Sequence, residues 1–363
     1  MSWIWENAHW PSFQWDAEQL MKSVGDIRQK IGVLCGMLKG LGMQVELEQA
    51  LSAMSEELIH TSGIEGVVLN PAMVRSSVAM RLGLPAEGLP VAGHYIEGLV
   101  DIMMDACHLP FQPLTHERLF QWHRTLFSDG SSKDVGRYRS SQESMRVISG
   151  VIGRETVHFE APPSGCVHEM MNVFFEWIND ENDLDDIIKS GVGSFWFVTI
   201  HPFSDGNGRL SRTIADMILS RGDRMNHRYY SMTAAIEKNR LDYYRMLETT
   251  QRGNMDITPW LSWFLNCLKC ALDASESEIM RAVHRVHFWD NYIHVSFNER
   301  QRNVITRFID RFEGKLTTSK YAKLAKCSTD TALRDLQELV SNHVLKVEGT
   351  GRGTHYVIDI TDR

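Results

Sequence analysis

The chain reads as a mainly α-helical protein with one short β-hairpin, followed by a C-terminal segment of helices and a second hairpin. Three observations predict this. Apolar residues recur at helical spacing over long stretches, as in Leu210, Ile214, Met217 and Ile218. β-prone runs are few and short, and they come in pairs around glycines. Near the end, capping residues stand directly before two short apolar-periodic segments. With 363 residues, 43% hydrophobic and 23% charged, the chain has the composition of a soluble globular protein with room for two or three domains.

The elements follow in order. Trp3, Trp5, Trp10 and Trp15 surround a Pro11-Ser12 turn, and their alternation predicts a short hairpin pinned on the body by aromatic rings. Residues 17 to 62 read as two helices broken near Gly40-Leu41-Gly42. Thr61-Ser62-Gly63-Ile64-Glu65-Gly66 closes the second, with Gly66 suited to a left-handed cap. Pro90 to Phe127 is helical again. Val147 to Ile152 and Glu155 to Phe159, around Gly153-Arg154, predict a hairpin on which His158 serves position rather than chemistry. Gly193 to Ile200 is an apolar, buried helix, and Pro202 stops it. A second helix runs from about Asn207 to Arg221, and another pattern contains Asn239, Tyr243 and Tyr244. Thr258 to Ala274 is an apolar helical run, in which Cys267 and Cys270 have no second pair and read as packing residues.

The six cysteines are scattered, which suits reduced thiols in a cytoplasm. No apolar run reaches the ~18 residues of a membrane span, and the N-terminus has no signal-peptide pattern.

The chemistry concentrates in His201-Pro-Phe-Ser-Asp205-Gly206-Asn207-Gly208-Arg209-Leu-Ser-Arg212. His201 falls at the helix-to-loop corner and, with an ordinary value near ~6.5, is a natural base. Gly206 and Gly208 allow N–H groups to converge on an anion. The following helix N-terminus adds a positive dipole end. Arg209 and Arg212, three apart, lie on one face and offer planar forks to phosphate oxygens. Asp205 suits a divalent cation held between phosphates.

This stretch resembles the Fic family signature H-x-F-x-[DE]-G-N-G-R-x-x-R and meets every fixed position. The resemblance implies an adenylyltransferase that moves AMP from ATP to a Ser, Thr or Tyr hydroxyl of a target protein, or of itself. It implies a Fic helical bundle with a hairpin flap to which the target adds a strand. His201 would be the catalytic base and Asp205 the ligand of Mg²⁺ or Mn²⁺. Gly206, Asn207 and Gly208 would cradle the α- and β-phosphates, with Arg209 and Arg212 on the β- and γ-phosphates. Asn239 and Tyr243, in a segment similar to the family's Asn-x-x-x-Tyr-Tyr, would line the adenosine pocket. Residues 61–66 match the family's inhibitory pattern [ST]-x-x-x-E-[GN]. Glu65 would then pair with Arg212 and occupy the fork meant for the γ-phosphate, and it could also support AMP removal. Gly136-Arg-Tyr-Arg139 and Ala161-Pro-Pro163 resemble family segments as well.

The C-terminal part is predicted as helices Asn298–Phe312, Thr317–Lys326 and Thr329–Val340, then strands Val344–Val347 and His355–Ile358. This order resembles a winged helix-turn-helix domain. From Phe297 onward it carries 12 Lys and Arg against 9 Asp and Glu, on a chain of net charge −8. That balance is compatible with DNA. The third helix offers only Arg334 against Asp330, Asp335 and Glu338, which leaves protein docking or a homodimer equally open.

Three parts are expected: residues 1–90 with the inhibitory helix, 91–290 as catalytic domain, and 291–363 as the winged-helix domain. The alternatives are a DNA-binding regulator with the core as nucleotide sensor, or transfer of UMP or phosphocholine instead of AMP.

Overall fold

The computed structural model describes all residues except 1, 87, 129, 131–133, 142–143, 151–153, 155, 182, 224–226, 312–314 and 360–363. It is mainly helical, and the chain divides into two compact units, Met1–Glu276 and Ser277–Arg363.

The first unit begins differently from expectation. Ile4–Glu6 is a single 3₁₀ turn, not a hairpin strand. The Glu6 carboxylate accepts the Trp3 N–H at 2.6 Å, which closes the turn locally. The tryptophan side chains then go to the body rather than to cross-strand partners: Trp10 meets Trp196, and Trp5 donates to the Glu160 carbonyl.

Helices α1 (Ala17–Leu41) and α2 (Met43–Ile64) follow, broken at Gly42, whose φ of 90° suits glycine alone. Next come α3 (Pro71–Arg81), α4 (His94–His108) and α5 (His116–Leu126). Strands β1 (Arg146–Ser149) and β2 (Thr156–Glu160) form the expected antiparallel hairpin, with a register shift between Val147 and Ile148. Of the segments expected there, residues 151–153 and 155 lie outside the described residues. Then come α6 (Ser164–Asn179), α7 (Asp186–Ile200), α8 (Asn207–Asp223), α9 (Met232–Lys238) and α10 (Arg240–Gln251). Helix α11 (Thr258–Asn291) contains the point of division.

Helix α7 is buried from Ile187 to Ile200 and packs on α8. Small residues allow the approach: the Ser194 and Ser211 hydroxyls bond at 2.9 Å, and a Cβ at Gly193 would press on Ile218. Trp196, Phe197 and Ile200 join Leu210, Ile214 and Met217 in one core that reaches α2 to α6. Burial on this scale, at about 25 cal/mol per Å² of apolar surface, makes the α7–loop–α8 segment the rigid centre of the unit.

The second unit contains α12 (Glu299–Arg311), α13 (Thr318–Ala325), α14 (Thr329–Ser341) and the antiparallel hairpin β3 (Leu345–Glu348) and β4 (His355–Ile358). Thr317 and Ser328 cap α13 and α14 with side-chain oxygens. Phe312, the expected end of α12, lies outside the described residues. Asp335, one of the acidic residues set against Arg334 on α14, is buried and accepts from Arg300, Asn298 and Tyr321. Among the described residues no helix of the chain is long and apolar enough to cross a membrane.

Candidate active site

Helix α7 ends at Ile200, and His201 takes a left-handed conformation, φ 51°, as its C-cap. A non-glycine residue there carries strain. Arg139 holds it in place: buried at 5% exposure, it donates Nε to the His201 carbonyl at 2.7 Å and Nη2 to the Pro162 carbonyl. The Arg139 backbone N–H is bonded to Pro202 O at 3.0 Å. The Gly-x-Tyr-Arg segment was visible in the sequence, but this role was not.

The His201 Nδ1 lies 3.1 Å from the Val198 carbonyl. A carbonyl only accepts, so Nδ1 carries the proton and Nε2 keeps its lone pair. Burial is the main reason that the imidazole is pushed down to about 4. Arg139 acts in the same direction, while the Val198 bond, Glu65 and Asp205 oppose it. The ring is therefore neutral at pH 7.

The loop after His201 is held from inside. Gly206 has φ 83°, and a Cβ there would press on Phe127 and Leu126. Asn207 is 2% exposed and uses its side chain on the loop: Oδ1 accepts Phe203 N–H at 3.0 Å and Nδ2 donates to Phe203 O at 2.8 Å. What Asn207 offers an anion is thus its backbone N–H at the start of α8, not its amide.

His123, which sequence reasoning passed over, stacks on Phe203 at 4.1 Å. Its Nδ1 accepts Gly136 N–H at 3.0 Å, so Nε2 donates to the Asp205 carbonyl at 3.2 Å. The available signal was a histidine on the same apolar stripe of α5 as Leu119, Trp122 and Leu126.

Asp205 points outward with 63% of its side chain exposed, and Arg209 Nη2 lies 3.4 Å from it. Arg209 also donates to the Tyr95 hydroxyl at 3.0 Å and lies over the Phe127 ring. Arg212 is almost wholly buried. Its Nε donates to Thr61 Oγ1 at 2.8 Å, and its Nη2 donates to Thr61 O at 3.0 Å and to Glu65 Oε1 at 2.7 Å. Among the described residues, Arg209 Nε and Arg212 Nη1 are buried without a hydrogen-bond acceptor. An anion with several oxygens suits such a pair.

Glu65 caps α2, and a Cβ at Gly208 would collide with its carboxylate. Burial alone would raise the Glu65 acid. The Arg212 charge and hydrogen bond, helped by Arg209 and Arg240, outweigh burial and hold it below the usual range.

The two residues assigned to an adenosine pocket fare differently. Asn239 sits exposed between α9 and α10, and its Nδ2 donates to the Ala235 carbonyl at 3.3 Å. Tyr243 is 3% exposed and packs on Trp263, with its hydroxyl beside Arg212. In this conformation Tyr243 is a core residue. Its neighbour Tyr244 is the more exposed of the two and donates to Ile64 O at 3.2 Å. His158 bonds Glu248 at 2.8 Å and Ser149 at 2.6 Å, tying the hairpin to α10.

Asp205 is an exposed carboxylate two residues ahead of the α8 N-terminus. This is a donor set that suits Mg²⁺, which binds through one or two carboxylates plus substrate oxygens. Among the described residues no cluster of three or more His, Cys, Asp or Glu side chains is arranged to hold a metal.

Residues 113–219 match the model of the Fic/DOC family, and residues 3–84 match that of a domain of unknown function, DUF4172. The protein adenylyltransferase Fic of Nematostella vectensis is 25% identical over 227 residues, which are 61% of this chain and 48% of that protein. Its counterpart in Drosophila grimshawi is 24% identical over 226 residues, 61% of this chain and 42% of that protein. The matched part thus spans less than half the length of these curated relatives. In fold, the chain is similar to a crystal structure of a Fic family protein from Desulfovibrio desulfuricans G20. The TM-score is 0.54 at 19% identity, over 94% of this chain and 97% of that one.

Proposed function

We propose, from the match of residues 113–219 to the Fic/DOC family model, that this protein transfers AMP from ATP to a Ser, Thr or Tyr hydroxyl of a target protein, and that Glu65 restrains the reaction. The observation that carries the reading is the pairing of a neutral His201, with Nε2 free to take a proton, with an α8 N-terminus whose Arg212 fork is already held by Glu65.

His201 Nε2 accepts the proton of the target hydroxyl. That oxygen forms a bond to the ATP α-phosphorus, the bond from the α-phosphorus to the bridging oxygen breaks, and pyrophosphate leaves with the electron pair. Gly206, Asn207 and Gly208 offer backbone N–H groups to the phosphates. Arg209 and Arg212 supply forks for the β- and γ-phosphates. Asp205 would hold Mg²⁺, which would neutralise charge on the phosphates. While Glu65 sits on Arg212, the γ-phosphate loses that fork and the α-phosphate is misaligned, and a small geometric error is costly in rate.

The test uses ATP labelled on the α-phosphate, Mg²⁺, and the wild type, Glu65→Gly and His201→Ala proteins. The expected result is strong protein labelling by Glu65→Gly, weak labelling by wild type and none by His201→Ala. Equal, negligible labelling by all three, with UTP and CDP-choline tried in parallel, would remove the reading.

A further inference from the structure

The residues ahead of α1 are joined to the reacting end of the site through β2. Trp3 meets Phe159 edge to face, with ring centroids 5.3 Å apart and planes at 81°. Phe159 is 3% exposed and lies between Trp3 and the base, 6.3 Å from the imidazole centroid of His201. Trp5 donates Nε1 to the Glu160 carbonyl at 2.7 Å. Arg252 of the α10 C-cap stands over the Trp3 ring at 4.6 Å and donates to the Val157 carbonyl at 2.7 Å. Ile4, between the two tryptophans, is fully buried.

The two strands of the hairpin are therefore treated differently. Strand β2 is gripped at consecutive residues by the N-terminal turn and by α10. Strand β1 is exposed at all four positions. The Trp5 N–H fixes the strand backbone at Glu160, and the Arg252 guanidinium fixes the Trp3 face while also bonding the strand at Val157.

The geometry points to Trp3–Glu6 as a working part of the transfer site: the turn clamps β2 so that Phe159 seats the His201 ring. Trp3 and Phe159 are thus positioning residues for the reaction. The Nδ1 bond to Val198 settles the tautomer, and the Phe159 ring closes the side that the bond leaves open. The charged groups that face His201 are Arg139, Glu65 and Asp205. None belongs to the clamp, so loosening it leaves the local charges in place and changes only the seating and cover of the ring. This inference rests on the transfer reading above, because it takes His201 as the base.

The experiment compares full-length Glu65→Gly protein with the same protein carrying Trp3→Leu, Trp3→Phe, Trp5→Phe or Phe159→Leu. Two quantities are read: transfer kinetics, and the rate at which diethyl pyrocarbonate modifies His201, followed by peptide mass spectrometry. Trp3→Leu and Phe159→Leu are expected to lower kcat about tenfold or more with KM for ATP within about twofold, since misplacing a reacting group costs rate and not nucleotide binding. Modification of His201 should quicken in both, and Trp3→Phe should restore most of kcat.

Folded Trp3→Leu with parental kcat and a parental modification rate overturns the proposal. If Trp3→Leu does not fold, Trp5→Phe decides, because it keeps an aromatic ring for packing while removing the N–H bond to Glu160. Unchanged kcat and modification there also overturn it. Faster modification of His201 in the variants, with no transfer by any protein including the Glu65→Gly parent, supports the clamp and rejects the transfer reading instead.

Discussion

Glu65 and Arg212 stand 147 residues apart in the chain and meet at 2.7 Å. The arginine comes from the first turns of α8 and the glutamate from the cap of α2, so a single ion pair joins the end of one helix to the start of another. Thr61, one turn earlier on α2, takes two further bonds from the same guanidinium. The contact thus seats Nε and Nη2 of the guanidinium, leaves Nη1 without an acceptor, and is not a loose surface pair.

A graded response is expected when Glu65 is weakened. Glu65→Gln keeps the shape and one acceptor oxygen but removes the charge, and charge-assisted bonds are about twice as strong as neutral ones. Transfer should rise above wild type and stay below Glu65→Gly, measured as initial rates of AMP labelling. A Glu65→Gln protein as fast as Glu65→Gly would show that the charge is the whole restraint.

Arg212→Lys, made in the Glu65→Gly background, should lower kcat/KM for ATP by about tenfold or more. A lysine cannot present the planar fork to two phosphate oxygens. Isothermal titration with ATP and Mg²⁺ should show a matching loss of affinity. Retained affinity would place the γ-phosphate elsewhere.

The pH dependence follows from His201. Its imidazole is held down to about 4, chiefly by burial, so the base stays unprotonated well below an ordinary ~6.5. The transfer rate should show no acid limb near about pH 6.5 from this group. For stability the sign is set by proton uptake. Between ~6.5 and about 4 the unfolded chain binds a proton that the folded ring refuses, so stability is complete above ~6.5 and falls as pH drops. His123, His108 and His227, also pushed down mainly by burial, act in the same direction. Melting curves of wild type and His201→Asn should converge as the pH is lowered from about 7 to 4.5.

Asn207→Ala should destabilise the first unit by about 1–3 kcal/mol, the cost of leaving buried backbone groups at Phe203 unpaired. Urea unfolding would measure it. A stability change near zero would mean that water replaces the amide.

Much of the fold was legible because its signals are local. The break at Gly42, the caps Thr317 and Ser328, and the stop at Pro202 each act within a turn of their own position. The N-terminal turn was misread because Trp3 and Trp5 are satisfied by Phe159 and Glu160, more than 150 residues away. The role of Arg139, and His123 altogether, escaped notice for the same reason: their partners at His201 and Asp205 are 62 and 82 residues distant. Between Tyr243 and Tyr244, adjacent on one helix, no local signal says which is buried.

By itself the sequence determined the chemistry available at residues 201–212 and the order of the helices that flank it, because residue type and periodicity act over a few positions. The tertiary structure alone decided which nitrogen of His201 is free, that Asn207 serves its own loop, and that the Arg212 fork is taken by Thr61 and Glu65. Those outcomes depend on burial and on partners brought from distant segments, and removing water from a charged or polar group is what makes its pairing definite.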